Sequence, residues 1–139
     1  MKYPVVDANV FIRAITFDNE NMGNAARRLF RKIQSGVLVV QTTDLIISEV
    51  VYVLTSKSLY QYSREQAAKS IIVFVCLENI IVENKLELIE TLELFAQTKL
   101  DFSDCKLIIH AKHSQSQIIS FDKDFDHFPE IVRVNPEQV

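Results

Sequence analysis

Glu49 and Asp104 interrupt apolar helix-like stripes in this 139-residue chain, where a packed domain has least use for a carboxylate. Ile46, Glu49, Val50 and Val53 follow the i, i+3, i+4, i+7 spacing of one helix face, as do Asp104, Leu107, Ile108 and Ala111. A carboxylate facing a core costs roughly several kcal/mol unless a cation or hydrogen-bond donor compensates it, so the spacing calls for a partner. Two more acids directly follow short apolar runs: Asp7 after Pro4-Val5-Val6, and Asp122 after Ile118-Ile119-Ser120-Phe121. Oxygen ligands gathered without histidine or thiolate suit Mg²⁺ or Mn²⁺. Phosphate oxygens can complete the shell, which points to a phosphodiester substrate.

Each acid also has an ordinary reading. Asp7 and Asp101 are good helix N-caps, and Asp104 at the third helical position could reciprocate for Asp101. Asp122 opens Lys123-Asp124-Phe125-Asp126, a polar turn. Glu49 resists such a reading, because a glutamate in mid-helix normally points to water. The histidines offer no rival site: His110 and His113 sit one turn apart near a helix end, where they favour its dipole, and His127 adjoins Phe128-Pro129.

The elements that must position these acids are legible from periodicity. Tyr3 to Val6 reads as a buried strand, and Asp7-Ala8-Asn9 opens a helix carrying Val10, Phe11, Ala14 and Ile15. Ala25 to Gln34 is amphipathic, with Ala26, Leu29, Phe30 and Ile33 on one face and Arg27, Arg28, Arg31 and Lys32 on another, and Ser35-Gly36 stops it. Val37 to Gln41 is a second strand, and Thr42-Thr43-Asp44 caps the Glu49 helix. Ser63-Arg64-Glu65-Gln66 matches a capping box, followed by Ala67, Ile71, Phe74 and Val75 at helical spacing. Ile80 to Val82 is a strand. Leu86 to Thr98 is a helix with Ile89, Leu92, Phe95 and Ala96 inward, and Asp101 to His113 is the Asp104 helix. Ile118 to Phe121 and Ile131 to Val134 complete the strands.

Continuously apolar strands alternating with amphipathic helices indicate an α/β fold, a three-layer α/β/α sandwich with a mostly parallel central sheet. Ligands there bind beyond the C-terminal ends of the strands, which is where Asp7 and Asp122 fall.

With 48% hydrophobic residues, residues 1–139 can form one domain with a full core. Cys76 and Cys105 stand in apolar helical contexts without metal-ligand spacing, and read as reduced core residues of a cytoplasmic protein. No run is long enough for a membrane span, and the start is too soon charged for a secretory leader. The net charge of −3 argues against a protein that coats nucleic acid, but it is unevenly spread: residues 1–70 carry +3 and residues 71–139 carry −6. The basic helix face is the best surface for salt-sensitive phosphate contacts, with Arg13 a neighbour of the rim; a solvated face is the plainer reading.

These segments resemble the PIN domain, and more narrowly the small stand-alone ribonucleases of VapC type. Val5-Val6-Asp7-Ala8-Asn9-Val10-Phe11-Ile12 is similar to the family's opening strand and Asp-x-Asn turn, and Ile47-Ser48-Glu49-Val50-Val51-Tyr52-Val53-Leu54 to its glutamate helix. Leu100-Asp101-Phe102-Ser103-Asp104-Cys105 resembles the third-acid segment, and Ser120-Phe121-Asp122-Lys123-Asp124-Phe125 the fourth. Ala8, Cys105 and Ser120 depart from the residues frequent at those places, but no carboxylate is lost. The resemblance implies a metal-dependent endoribonuclease in which Asp7, Glu49, Asp104 and Asp122 hold Mg²⁺ or Mn²⁺, with Asn9, Asp101, Ser120 and Asp124 as outer-shell groups. It further implies a homodimer and, for toxin members, a small antitoxin that blocks the site.

Two readings compete: a catalytically idle PIN-like module that binds RNA or protein, and an RNA-processing nuclease outside a toxin system. A haloacid-dehalogenase-type phosphatase would need an acid where Asn9 stands, and a receiver domain an adjacent acidic pair after the first strand. Metal-free, the gathered acids should repel one another, so that one or more stays protonated near neutral pH.

Overall fold

The computed structural model describes residues 2–139. Six α-helices carry the described residues: α1 (Ala8–Thr16), α2 (Glu20–Gln34), α3 (Asp44–Thr55), α4 (Arg64–Val75), α5 (Lys85–Gln97) and α6 (Phe102–Ser114). They alternate with short strands β1 (Val40–Gln41), β2 (Ile80–Ile81), β3 (Ile118–Ile119) and β4 (Arg133–Val134). Every pairing is parallel. Val40 and Gln41 register with Ile80 and Ile81, Ile118 and Ile119 with Arg133 and Val134, and Val5 adds a parallel bridge to Gln41. This is the α/β class read from the sequence.

The strands are much shorter than their apolar runs. Tyr3 to Val6 contributes one bridge, held by Val6 N–H to the Gln41 carbonyl at 2.8 Å and Gln41 N–H to the Pro4 carbonyl at 2.9 Å. The physical reason is that helix caps begin at once. The buried Thr42 hydroxyl donates to the Val6 carbonyl at 3.2 Å, and the Thr43 hydroxyl accepts from Ile46 N–H to start α3. The ladder falls into two pieces, β1–β2 and β3–β4. Its inner row (Val6, Val40, Ile80, Ile118) is buried, while Val5 and Ile119 opposite are each 59% exposed.

The main core joins α1 to α5 around Phe11, Ile33, Ile47, Leu54, Ile71 and Leu92, with Phe102 and Cys105 of α6 reaching it. Ile108, Ala111, Ile118, Phe125 and Ile131 form a smaller cluster, and Leu94 and Leu100 pack against both. Phe11, Phe30 and Phe74 make an aromatic triangle with centroids 4.4–6.3 Å apart, pinning α1 to α2 and α4. At the α1–α2 corner Phe17 adopts a left-handed φ of 54° and lies so close to Gly23 that a Cβ there would come within 2.4 Å of its ring. No helix of the described residues is long and apolar enough to cross a membrane.

A polar knot ties the α3–α4 loop to this corner. Asp18 accepts from the Tyr60 hydroxyl, from Arg13 at 2.7 Å and from Thr16 at 3.2 Å. The Tyr60 bond, then the Arg13 bond, hold the Asp18 carboxyl below its ordinary range, and the same bond pushes the Tyr60 phenol up. A depressed carboxyl contributes stability that is present above its unfolded pKa and lost as pH falls through the folded one. Asp18→Asn is therefore expected to flatten the acid limb of a plot of Tm against pH. Superimposable limbs for the two proteins would refute the knot's contribution.

Candidate functional site

Asp7 leaves the first extended segment at the C-terminal end of its pairing and stands at the N-cap of α1. One carboxylate oxygen accepts Ala8 N–H at 2.8 Å, and the side chain is exposed. The capping reading is correct for that oxygen, and the other makes no hydrogen bond among the described residues.

Glu49 corrects the first expectation from sequence. α3 buries Ile47, Val50, Val51 and Leu54, and Glu49 is exposed. The helix is apolar almost all round, so its periodicity fits two overlapping faces, and packing selects the one that spares a carboxylate from burial. The α6 stripe turns similarly: Phe102, Cys105, Ile108, Ile109 and Ala111 are buried and Leu107 is 41% exposed, while Asp104 is half-buried at the boundary.

Asp104 carries the electrostatic signature of the site. Burial first, then the charges of Asp101, Asp122 and Asp124, hold its carboxyl above the ordinary range. The acids of the α6 first turn and of the segment after β3 thus share one field. Asp101 occupies the N-cap position, yet its side chain makes no capping hydrogen bond, so the reciprocal cap with Asp104 is absent.

The Asp122 segment is fixed by its own turn. Asp122 N–H donates to the Ser120 hydroxyl at 3.0 Å, and an Asp122 carboxylate oxygen accepts Asp124 N–H at 2.9 Å. Arg133 on β4 donates to the Ser120 carbonyl at 3.0 Å and grips Asp126 through two bonds of 2.9 and 3.1 Å. The Ser120 hydroxyl therefore fixes the backbone of the Asp122 turn, and Arg133 holds the loop that follows it.

Two further side chains escape sequence reasoning and brace the site. Lys106 of α6 pairs with Asp44 in the first turn of α3 at 2.7 Å, linking the Glu49 helix to the Asp104 helix and depressing the Asp44 carboxyl. Arg64, at the start of α4, lies 3.6 Å from the Phe95 ring centroid and donates to the Phe95 carbonyl at 2.9 Å and to the Leu100 carbonyl. It thereby clamps the turn just before Asp101. Neither has a local sequence signal, since the partners of Arg64 lie 31 and 36 residues away.

The other expected groups divide. Asn9 lines a cavity of about 400 Å³ between α1 and α2, with Val10, Arg13, Met22 and Leu29 on its walls. Arg13 is engaged with Asp18, its Nε buried without a partner, and Arg27 donates to the Ala14 carbonyl at 3.2 Å with its guanidinium 4.2 Å from the Phe17 ring centroid. Both serve the fold. Arg28, Arg31 and Lys32 are exposed, without ion pairs among the described residues. His110 and His113 face Glu87 and Glu90 at 3.4 and 2.7 Å.

The structure brings Asp101, Asp104, Asp122 and Asp124 into one electrostatic neighbourhood. Among the described residues no three Asp, Glu, His or Cys side chains are close enough to hold one ion in this conformation. The donor set nonetheless fits a hard divalent cation. It is all carboxylate, burial and then the charges of Asp101, Asp122 and Asp124 hold the Asp104 carboxyl above its ordinary range, and no ion pair of the described residues involves Asp7, Glu49, Asp101, Asp104, Asp122 or Asp124.

Comparison with curated proteins finds no match. A family model, the PIN domain, matches residues 5–131 and so spans the Asp7, Glu49, Asp104 and Asp122 segments together; proteins of this family are commonly nucleases. The match covers residues 5–131 of the 139, and the chain belongs to the PIN-domain family.

Proposed function

We propose that this chain is a Mg²⁺- or Mn²⁺-dependent endoribonuclease of VapC type, the toxin of a cytoplasmic toxin–antitoxin pair. The observation that carries the reading is Asp104, half-buried and crowded by Asp101, Asp122 and Asp124 with no ion-paired cation beside it, within a chain of a nuclease family. Asp7, Glu49, Asp104 and Asp122 would hold the ion through carboxylate oxygens, directly or through water. A bound divalent cation supplies an acidified water and charge stabilisation at the phosphoryl oxygens.

The chain's own residues do the rest. Ser120 and Arg133 keep the Asp122 turn in place, and Asp101 and Asp124 add negative potential that favours a cation at Asp104. Arg28, Arg31 and Lys32 are free to meet RNA phosphates, whereas Arg13 and Arg27 are already committed. Homodimerisation and inhibition by a small antitoxin belong to the same reading.

The test is cleavage of a mixed RNA population by metal-stripped protein, before and after Mn²⁺ is restored. Cleavage should appear only with the metal and fall about 100-fold or more in Asp7→Asn, whose circular dichroism stays native because the amide oxygen can still accept Ala8 N–H. Wild-type protein that cuts no RNA would favour an idle binding module. Equal cutting by Asp7→Asn would remove that residue from the ligand set.

A further inference from the structure

A cavity of about 420 Å³ opens between α3 and the first turn of α6, walled by Ser48, Tyr52, Arg64, Phe95, Asp101 and Ser103 among others. It reaches the acids through Asp101, which lines it and whose charge acts on Asp104. Its size is that of a small-ligand site.

Three features of its wall leave stacking or hydrogen-bonding capacity unused. Tyr52 stands one turn beyond Glu49 and is 71% exposed, an aromatic ring left largely to solvent. Ser48 and Ser103 present hydroxyls that make no hydrogen bond among the described residues. The guanidinium of Arg64 is immobilised by the Phe95 ring and two backbone carbonyls through Nε and Nη2, and its Nη1 makes no hydrogen bond among the described residues. A flat exposed ring, a pre-ordered cation and unspent hydroxyls in one concavity match the parts of a nucleotide: base face, phosphate and base edge. Pre-ordering matters, because a cation already held in place loses little freedom when an anion arrives.

We propose that this cavity is a nucleotide subsite beside the scissile phosphate, with Tyr52 stacking an unpaired base of the RNA and Arg64 meeting the adjoining phosphate; this deepens the nuclease reading and rests on it. The base must be unstacked to enter a concave wall, so the substrate is single-stranded at that position. Asp101, on the same wall, accepts from the base's amino or imino groups and disfavours a second phosphate there.

The experiment reads binding apart from cleavage. In an Asp104→Asn background, the affinity for a fluorescent single-stranded RNA is measured by anisotropy, with an RNA duplex as control. Adding Tyr52→Ala should weaken single-strand binding about tenfold, consistent with the loss of one base–aromatic stack. Tyr52→Phe should restore it, and duplex binding should change little. In the active protein, Tyr52→Ala should raise KM more than it lowers kcat. The proposal is overturned by single-strand affinity unchanged within twofold, by equal loss for duplex and single strand, or by no binding by the parent protein. A shift in self-association with RNA binding intact would instead assign the ring to an interface between copies, and also overturns it. If Tyr52-dependent binding stands but no RNA is ever cut, the subsite survives and the nuclease reading fails.

Discussion

Asp104→Asn is expected to lower metal-dependent RNA cleavage by about 100-fold or more while leaving the protein at least as stable as wild type at neutral pH. The two effects share one cause. Burial and the charges of Asp101, Asp122 and Asp124 hold the Asp104 carboxyl above its ordinary range, so ionising it costs folding free energy. A raised carboxyl contributes stability that is full below the unfolded pKa and lost as pH rises through the folded one. Wild type should therefore lose stability just above the usual carboxylate range, and the asparagine variant should lose less. Mn²⁺ should raise the Tm of wild type by binding the folded state, and raise that of the variant much less. Scanning fluorimetry from acid to neutral pH, with and without Mn²⁺, reads all of this beside the cleavage assay. A variant that cuts RNA at the wild-type rate, or that melts several degrees lower at neutral pH, would contradict the assignment.

Phe11→Ala should carry the largest cost to folding, about 3–5 kcal/mol in urea-denaturation experiments. Phe11 is fully buried, and its ring centroid lies 5.3 Å from Phe30 and 6.3 Å from Phe74, so truncation opens a void where α1, α2 and α4 meet. Phe11 sits one turn beyond the Asp7 cap, and loosening α1 loosens an acid of the site. Cleavage by the folded fraction should fall as well. A stability loss below about 1 kcal/mol would mean that the triangle is not the anchor of α1.

Elements bounded by local chemistry were open to sequence reasoning. The capping box forms between Ser63 and Gln66, Thr43 caps α3, and α2 stops at Gln34 with Gly36 at a φ of 83°. The parallel pairing of short apolar runs followed from their alternation with helices. The start of α2 did not: it begins at Glu20 behind an Asn19 cap, five residues before the apolar spacing becomes regular, because Asn21, Gly23 and Asn24 blur the period.

For the site, the places of Asp7, Asp104 and Asp122 along the elements were legible and their surroundings were not. Glu49 was singled out for the wrong physical reason, a buried charge, although α3 turns it to solvent. Arg64, Lys106 and Arg133 act through partners that only the fold brings near, and a single sequence holds no trace of such pairs. Tyr52 stood out in no pattern of the sequence, and only its exposure on α3 sets it apart.

The central claim is that carboxylates from four distant segments meet at one hard cation. Crystals soaked in Mn²⁺ and measured at the manganese absorption edge test it directly. The account predicts anomalous density among the carboxylates of Asp7, Glu49, Asp104 and Asp122, with at least two of them ligating at about 2.1–2.2 Å and with Asp7 and Glu49 drawn in toward Asp104. Full Mn²⁺ occupancy elsewhere, or density at Asp104 and Asp122 with Asp7 and Glu49 still turned to solvent, would contradict it.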